Sequence, residues 1–397
     1  MLREASLQRL ERAVAPHLRH GWTRAVFAAP QGAGGRAEQV VAGPGSGVAP
    51  TVEQLGALFA AARSAAQAGL FKQTYVLDER RRVQIDARHG RPAVRTLDEV
   101  TARKVMGGKD RPLRPDTSDG LLRAIGIMNA DGSISATHAR KYKQVNHLAA
   151  LCRPTIERLT AARPRSAAAP LRVLDLACGN AYLSFVLAEV LRQDRVPLRL
   201  HGVDVRDDVV ARSRERAVLL GMSEPPEPDV PRLSFARATI AGAEASAAEA
   251  LGGPPDLVLA LHACDTATDE ALALAIRLGV PAVLSVPCCQ HELAAQLAER
   301  DPTTAPVPAL LEHGLLRGAY ADLLTDGLRV ELLVACGYDV AVVEFVSSEH
   351  SAKNLLLRAH RRHPYAPVDR ARWRLAPIQA RCERLGVSPD LLRRLMG

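Results

Sequence analysis

The spacing of apolar positions changes along the chain, and the change separates two kinds of architecture. Before residue 97, short strand-like and helix-like runs are separated by Gly-rich turns, and these runs lie at 22–28, 38–42, 51–69 and 73–87. From residue 171 onward, apolar strand patterns alternate with amphipathic helical patterns, and the strand patterns lie at 171–176, 198–205, 233–238, 256–261 and 282–286. This alternation predicts an α/β architecture, with a parallel sheet covered by helices on both faces.

The last two strand patterns distinguish between two similar folds. They cover 340–346 and 354–359, and only residues 347–353 lie between them. Two parallel strands need a crossover of about a dozen residues or more, so these strands are predicted to form an antiparallel hairpin. Dinucleotide-binding sheets are normally all parallel, whereas the sheet of class I S-adenosylmethionine (SAM) methyltransferases closes with one reversed strand. We therefore expect a Rossmann-like methyltransferase sheet, mostly parallel with one antiparallel strand near its C-terminal end.

These patterns divide the chain into four regions. We expect a small basic α+β domain, a helical basic connector, a SAM-dependent methyltransferase domain and a basic helical tail, at 1–96, 97–165, 166–359 and 360–397 respectively. A Pro/Ala-rich stretch at 163–170 supports the boundary before the catalytic sheet.

A turn of very small residues follows the first strand of the alternating region, in the run 175–182. Such a turn lets a nucleotide-like cofactor approach the backbone and the helix N-terminus. A nicotinamide site would need Gly-x-Gly-x-x-Gly, and only Gly179 is present, whereas SAM has no pyrophosphate and tolerates this. Asp175 would face the methionine amino group, and Asp204 would accept the ribose hydroxyls. The predicted SAM-binding residues are Asp175, Ala177, Cys178, Gly179, Asn180, Tyr182, Asp204, Val205 and Thr239. The alternative is a strand–helix turn flanked by incidental acids.

Two further loops follow the fourth and fifth strand patterns and carry the candidate catalytic residues. His262 and Asp265 could accept a proton from a substrate hydroxyl or amine, although Asp265 could instead cap the following helix. Cys288 or Cys289 could add to a pyrimidine ring, which is the covalent route to methylation at carbon 5. His291 is a candidate polar contact. The plainer alternative is that the thiols only shape a tight pocket.

The same loops carry possible metal ligands, and candidate substrate-binding residues lie on the connector helix and in the terminal hairpin. Together with Cys264, His262 and His291, the paired cysteines could bind zinc, but the sequence has no Cys-x-x-Cys pair, so we predict no metal. The candidate substrate-binding residues are Lys141, Lys143, Lys353 and Asn354. The alternatives for them are a solvated helix face and a turn.

Charge is unevenly distributed along the chain, whose formal net charge is +9. Residues 1–170 carry 27 Lys and Arg against 14 Asp and Glu, residues 171–359 carry 16 against 26, and residues 360–397 carry 9 against 3. Basic flanks around an acidic catalytic region suit a polyanionic substrate held by its phosphates. The alternative is an ordinary Arg-rich solvated surface.

The cysteine content and the N-terminal sequence indicate where in the cell the protein is expected. Seven cysteines, an odd number, do not suggest a disulfide framework, and reduced thiols fit better. Neither a signal peptide nor a membrane span is predicted, because the N-terminal 21 residues alternate charges with Leu and Val. We expect a cytoplasmic protein without membrane contact, and the sequence does not predict its oligomeric state.

Four motifs resemble a known family, the class I SAM-dependent methyltransferases of the methyltransferase-like 25 type. The second and third are also similar to motifs of the eukaryotic tRNA 2′-O-methyltransferases that modify the acceptor stem. The motifs lie at 175–182, 261–269, 287–291 and 350–354. The resemblance covers about residues 140–359 and implies SAM as methyl donor, bound around Asp175, Gly179 and Asp204. It leaves the substrate open, and Ala177 and Ala181 depart from the Gly-based part of the cofactor motif.

Three hypotheses about function follow. The first is a methyltransferase that acts on structured RNA, tRNA or rRNA, with the basic N-terminal region and tail arginines on the phosphate backbone; those arginines are Arg361, Arg362, Arg370, Arg372 and Arg374. The second is a methyltransferase acting on a protein or small molecule. The third is a non-catalytic module that binds RNA or a partner.

Overall fold

The computed structural model contains two compact units, residues 1–143 and 144–397. The residues that it describes are 4–29, 38–78, 81–88, 92–96, 111–129, 133–223, 230–261, 263–305, 307–345, 355–362 and 372–397. Each unit has its own sheet. The boundary between the units falls inside the segment that we expected to be a helical connector.

The first unit is built around an antiparallel sheet whose strand order is β2-β1-β3-β4-β5. Its elements are α1 (Glu4–Val14), a 3₁₀ turn (Ala15–Leu18), β1 (Arg24–Ala28), β2 (Glu38–Ala42), α2 (Val52–Gln67), β3 (Lys72–Val76), β4 (Arg81–Asp86), β5 (Ala93–Thr96) and α3 (Asp119–Ala124). Helix α4 (Ala136–Ala162) contains the boundary between the two units. Strands β3 and β4 are antiparallel neighbours and form a hairpin within the run that the sequence shows at 73–87.

Aromatic side chains form the centre of the first core. Trp22, Phe27 and Tyr75 are fully buried, and the rings of Phe27 and Tyr75 meet edge to face with centroids 6.1 Å apart. Helix α2 covers this core and begins with a capping box, in which Thr51 and Gln54 each accept a hydrogen bond from the other's backbone N–H.

The second unit contains the alternating elements. They are β6 (Leu171–Leu176), α5 (Tyr182–Gln193), β7 (Leu198–Asp204), α6 (Asp207–Leu219), β8 (Arg232–Arg237), α7 (Ala243–Leu251), β9 (Leu257–Ala260), α8 (Thr266–Arg277), β10 (Ala282–Ser285), α9 (His291–Ala298), a 3₁₀ turn (Pro302–Thr304), α10 (Ala309–Glu312), α11 (Gly314–Ala335), β11 (Tyr338–Glu344), β12 (Leu355–Arg361), α12 (Arg372–Leu385) and α13 (Asp390–Met396). All five predicted strands of the alternating region are present within a few residues of their expected bounds.

The seven-stranded sheet has the order β11-β12-β10-β9-β6-β7-β8. Strands β6 to β10 pair in parallel, and β12 is antiparallel to both of its neighbours, β10 and β11. The predicted reversed strand is therefore confirmed, as is the α/β methyltransferase sheet. Strand β6 lies between β7 and β9, so the chain reverses its direction of travel across the sheet at the β6–β9 pair. Ligands of open α/β sheets bind outside the carboxyl ends of the strands at such a reversal.

Close packing inside the second sheet fixes the positions of residues next to the carboxyl ends of its parallel strands. Strands β6, β9 and β10 are almost completely buried, as expected for a parallel sheet with helices on both faces. A Cβ atom at Gly202 of β7 would lie 2.6 Å from Cδ1 of Phe235 and 3.2 Å from Sγ of Cys178. Glycine at this position therefore lets Cys178, at the start of the cofactor turn, pack directly on the neighbouring strand. Among the described residues, no helix has both the length and the apolarity to cross a membrane.

Candidate active site

The backbone of the turn after β6 has an unusual conformation. Ala177, Gly179 and Ala181 all have left-handed backbone, with φ of 54°, 55° and 52°. Cys178 between them donates its N–H to the carbonyl of Val203 at 2.9 Å, so the turn is held against β7. Alternate left-handed residues wind the chain tightly, and the tight turn that the small residues of 175–182 predicted is therefore present.

Asp204, the last residue of β7, is hydrogen-bonded to this turn. Its Oδ2 accepts the backbone N–H of Gly179 at 2.8 Å, and its Oδ1 accepts that of Arg206 at 2.9 Å. The residue is buried, with 8% of its surface exposed. Each carboxylate oxygen has a second acceptor site, and the pair can therefore still accept two hydroxyl donors from a ligand.

Asp175, inside β6, is the other acidic residue of the predicted cofactor site. It is buried and accepts a short hydrogen bond from the hydroxyl of Ser184 on α5. Burial raises the pKa of Asp175 to about 7, Ser184 opposes the rise, and the nearby charge of Asp204 adds to it. The carboxyl is thus close to its titration point at neutral pH. Ser184 was not predicted, since a Ser one turn into a helix has no distinctive sequence signal.

The remaining predicted cofactor residues lie around the same edge of the sheet. Val205 follows Asp204 and is 58% exposed. Thr239 is exposed after β8, where its hydroxyl accepts the N–H of Gly242. Arg216 of α6 contacts the cofactor turn and the start of α5. Its guanidinium lies 5.3 Å from the ring centroid of Tyr182 and donates a hydrogen bond to the carbonyl of Asn180 at 2.9 Å.

The loops after β9 and β10 are joined by a hydrogen bond. Oδ1 of Asp265 accepts the backbone N–H of Glu292, the second residue of α9, at 3.1 Å. Asp265 has left-handed φ of 54° and directly precedes α8, but its side chain does not cap that helix. It caps α9 instead, which brings the two predicted catalytic loops together.

A buried arginine is hydrogen-bonded to the loop after β9 directly and to the loop after β10 through Asp326. Arg329 of α11 is 1% exposed and donates two hydrogen bonds to Asp269 at 2.9 and 2.8 Å, one to Asp326 at 3.1 Å and one to the backbone carbonyl of Asp265 at 3.0 Å. Oδ2 of Asp326 accepts from the buried amide of Gln290 at 3.1 Å. Burial raises the pKa of Asp269 and Asp326, and the guanidinium of Arg329 opposes both shifts. The network connects α11 to the loops that hold the candidate acceptor site.

The cysteines of these loops lie in contact. Sγ of Cys264 is 2.9 Å from Sγ of Cys288, which is 3.8 Å from Sγ of Cys289. Burial, then Cys264 and Cys289, raise the pKa of Cys288 to about 12. A nucleophilic cysteine requires a depressed pKa, so this environment disfavours Cys288 as the nucleophile of the covalent route.

The other predicted residues have different positions. Lys141 and Lys143 belong to the first unit, where Nζ of Lys141 donates to the carbonyl of Ile125 at 3.1 Å and Lys143 is exposed. His291 is exposed at the first position of α9. His262, Lys353 and Asn354 lie outside the described residues.

Comparison with known proteins identifies the enzyme class to which these loops correspond. Residues 140–296, which include the cofactor turn and both candidate catalytic loops, match the family model described as a methyltransferase domain. The chain therefore contains a SAM-dependent methyltransferase domain. The predicted enzyme class and the predicted cofactor are therefore confirmed, whereas the likeness to the methyltransferase-like 25 type and to the tRNA 2′-O-methyltransferases stays a prediction.

Several solved methyltransferase structures are similar to this enzyme. The methyltransferase PaMTH1 of Podospora anserina is 14% identical over 67% of this chain and 97% of its own, with a TM-score of 0.35. An O-methyltransferase of Bacillus cereus is 12% identical over 66% and 96%, with a TM-score of 0.35. An rRNA methylase of Streptococcus thermophilus is 11% identical over 48% and 87%, with a TM-score of 0.28. A search of curated proteins found no match. At these identities and TM-scores, no acceptor follows from the similarity.

Proposed function

We propose that this methyltransferase modifies structured RNA, tRNA or rRNA, at a ribose hydroxyl. The observation that carries the proposal is the charge distribution: residues 1–170 have 27 Lys and Arg against 14 Asp and Glu, whereas residues 171–359 have 16 against 26. An acidic catalytic region repels a polyanion unless basic flanks bind it. A separate basic region in the same chain supplies that binding.

The tail supports the same proposal in a more limited way. Several tail arginines are paired with acidic residues, for example Arg362 with Asp339 at 2.5 Å and Arg393 with Glu292 at 2.7 Å. These charges hold the tail on the second unit. Trp373, however, is 70% exposed, and the guanidinium of Arg374 lies 5.0 Å from its ring centroid. An exposed aromatic ring beside a cation is suited to stacking on a nucleic-acid base.

In this proposal the residues at the sheet edge bind SAM. Asp204 accepts the ribose hydroxyls, and the backbone of Gly179 approaches the cofactor closely. Asp175 faces the methionine ammonium group, and Val205 covers the adenine with its exposed apolar side chain. Of the remaining predicted residues, Ala177, Asn180, Tyr182 and Thr239 line the same edge, and Cys178, which is completely buried, packs behind the turn. When bound, SAM supplies an electrophilic methyl group on a sulfonium.

Asp265 is the proposed proton acceptor within the described residues. Its Oδ1 accepts the N–H of Glu292, and a carboxylate has a second oxygen that can accept a proton. When the acceptor oxygen forms its bond to the methyl carbon, the carbon–sulfur bond breaks, and the hydroxyl proton passes to the carboxylate. His262 is a second candidate for the proton, and Cys288, Cys289 and His291 contact the acceptor.

Transfer of radioactive methyl groups tests the proposal. The full chain is incubated with methyl-labelled SAM and the RNA, protein and small-molecule fractions of a strain that lacks the gene. We expect label in the RNA fraction, sensitive to nuclease, and one methylated nucleoside that is absent from the deletion strain. RNA binding should weaken steeply as salt is added, because the phosphate contacts release counterions.

A matched pair of variants controls the experiment. Asp204→Ala should abolish both SAM binding and transfer, whereas Glu215→Ala, which removes an exposed acid from α6, should leave both unchanged. Label confined to the protein or small-molecule fraction would overturn the RNA proposal and keep the methyltransferase. SAM binding without transfer to any fraction would count against catalysis on these substrates.

A further inference from the structure

Three cysteines from two different loops converge beside the candidate active site. Cys264 lies between β9 and α8, and Cys288 and Cys289 lie between β10 and α9. Their three sulfur atoms all lie within 4.8 Å of one another. Cys264 is exposed, and the other two are half-buried, so the cluster can be reached from solvent.

We propose that Cys264, Cys288 and Cys289 form a thiolate site for one zinc ion. Tetrahedral zinc with Zn–S bonds of about 2.3 Å holds its sulfur ligands about 3.8 Å apart. Sγ of Cys288 and Sγ of Cys289 already have that separation, at 3.8 Å. Cys264 is closer to Cys288, at 2.9 Å, and needs only a small outward rotation of its exposed side chain.

The three sulfur donors favour binding of a soft divalent metal ion over formation of a disulfide bond. A disulfide between Cys264 and Cys288 would use two of the three thiols and would leave Cys289 without a role. Three sulfur donors on one side suit zinc better than magnesium or calcium, which prefer oxygen ligands. Three protein ligands also leave the fourth tetrahedral position open to water or to an acceptor group, as in catalytic zinc sites.

The loops that carry the ligands are already held in place. The hydrogen bond from Glu292 to Asp265 joins the two loops, and Arg329 binds the carbonyl of Asp265 from below. The metal would thus bind to a largely preformed site. Each of the three S–H bonds breaks as a zinc–sulfur bond forms, so binding of one ion releases three protons to solvent.

Cobalt(II) is a direct spectroscopic probe of this site. The full chain, reduced and freed of metal with a chelator, is titrated with cobalt(II), and we expect a thiolate-to-cobalt charge-transfer band that saturates at one ion per chain. Zinc should then displace the cobalt and remove the band. Serine replacement of any one of the three cysteines should weaken zinc binding by at least about tenfold, because even second-shell changes have effects of that size.

Controls separate metal binding from folding and oxidation. Cys336→Ser, which removes a half-buried thiol outside the cluster, should leave the cobalt spectrum unchanged. If a serine variant does not fold, alkylation of the wild-type chain replaces it: zinc should protect Cys264, Cys288 and Cys289, but not Cys336, from iodoacetamide. A featureless cobalt titration, or a Cys264–Cys288 disulfide found by peptide mass spectrometry in protein isolated without reductant, would overturn the proposal. Neither readout depends on methyl transfer or on the acceptor.

Discussion

At the scale of single residues, the cofactor turn contains backbone strain that its composition conceals. Ala177 and Ala181 stand where glycine would be the relaxed choice, and both have left-handed φ. A left-handed conformation costs an L-residue about 1–2 kcal/mol. The enzyme therefore keeps two strained alanines around Gly179, in the loop that approaches the proposed cofactor.

Glycine at either alanine position should stabilise the protein. We expect Ala177→Gly or Ala181→Gly to raise the free energy of unfolding by about 0.5–1 kcal/mol, because the relieved strain exceeds the added entropy of the unfolded chain. Urea unfolding checks this, using the transition that S-adenosylhomocysteine shifts. Ala211→Gly, at an exposed position of α6 with ordinary helical backbone, is the control and should lose about 1 kcal/mol. Equal losses at all three positions would contradict the strain argument.

Residue-level inference from the sequence succeeded where the local chain sets the outcome. The small residues of 175–182 predicted a tight turn, and the turn is present. Left-handed backbone at two alanines could not be predicted, since alanine normally avoids it. The sequence placed Cys264 and Cys288 in loops that follow neighbouring strands, but their direct contact could not be predicted, because only the folded sheet sets the distance between the two loops.

At the scale of secondary-structure elements, α11 positions the acceptor loops through one buried side chain. Arg329 binds Asp269 of α8 with two hydrogen bonds and reaches the carbonyl of Asp265. Asp326, one turn earlier on α11, accepts a hydrogen bond from Gln290, the residue that directly precedes α9. Two helices and two loops therefore share one hydrogen-bonded ionic network.

Removing that arginine should strongly destabilise the enzyme. We expect Arg329→Met to lower the free energy of unfolding by about 3–5 kcal/mol, because two buried carboxylates lose their counter-charge. Adding Asp269→Asn should recover part of the loss, since one of those charges is then removed. Urea unfolding measures both variants. Glu331→Ala on the same helix breaks only the half-exposed pair with Arg381 and should cost at most about 1 kcal/mol. A similar loss in both single variants would argue against the network.

The same elements show which parts of the fold a sequence can predict. The reversed strand β12 followed from loop length alone, because seven intervening residues at 347–353 cannot cross over a sheet. The role of Arg329 did not follow, since its partners are distant in sequence and an arginine on α11 resembles a surface charge. Asp265 was placed correctly between a strand and a helix, but the helix that it caps is the next one, α9.

At the scale of the whole molecule, buried titratable groups in the second unit make its stability depend on pH. His201 of β7 is hydrogen-bonded to Ser234 and Ser246, and burial, helped by Arg214, lowers its pKa to about 4. Burial, together with Arg158 and Arg358, lowers the pKa of His360 on β12 to about 4. The unfolded chain binds a proton at each histidine near pH 6.5, so both groups favour unfolding as the pH falls from about 6.5 to 4.

Asp175 acts in the opposite direction over a similar range. Its native pKa of about 7 lies above that of an unfolded aspartate, so the native state holds the extra proton, and stability decreases as the pH rises from about 4 to 7. Burial also raises the pKa of Asp269 and of Asp326, so these two carboxyl groups act in the same direction as Asp175. The net pH dependence of the second unit is therefore set by the balance between its buried histidines and its buried carboxyl groups.

His201→Asn tests this balance, because asparagine can keep the hydrogen bond to Ser234 but does not titrate. Between pH 7.5 and 5, the wild-type protein should lose about 2 kcal/mol more unfolding free energy than the variant, which is the contribution of one histidine over that interval. Urea unfolding at both values measures it, again in the transition that S-adenosylhomocysteine shifts. His147→Asn, at an exposed position of α4, is the matched control and should retain the wild-type pH dependence. If His201→Asn also retains it, then His201 is protonated in the folded protein, and the acid sensitivity of the sheet comes from other groups.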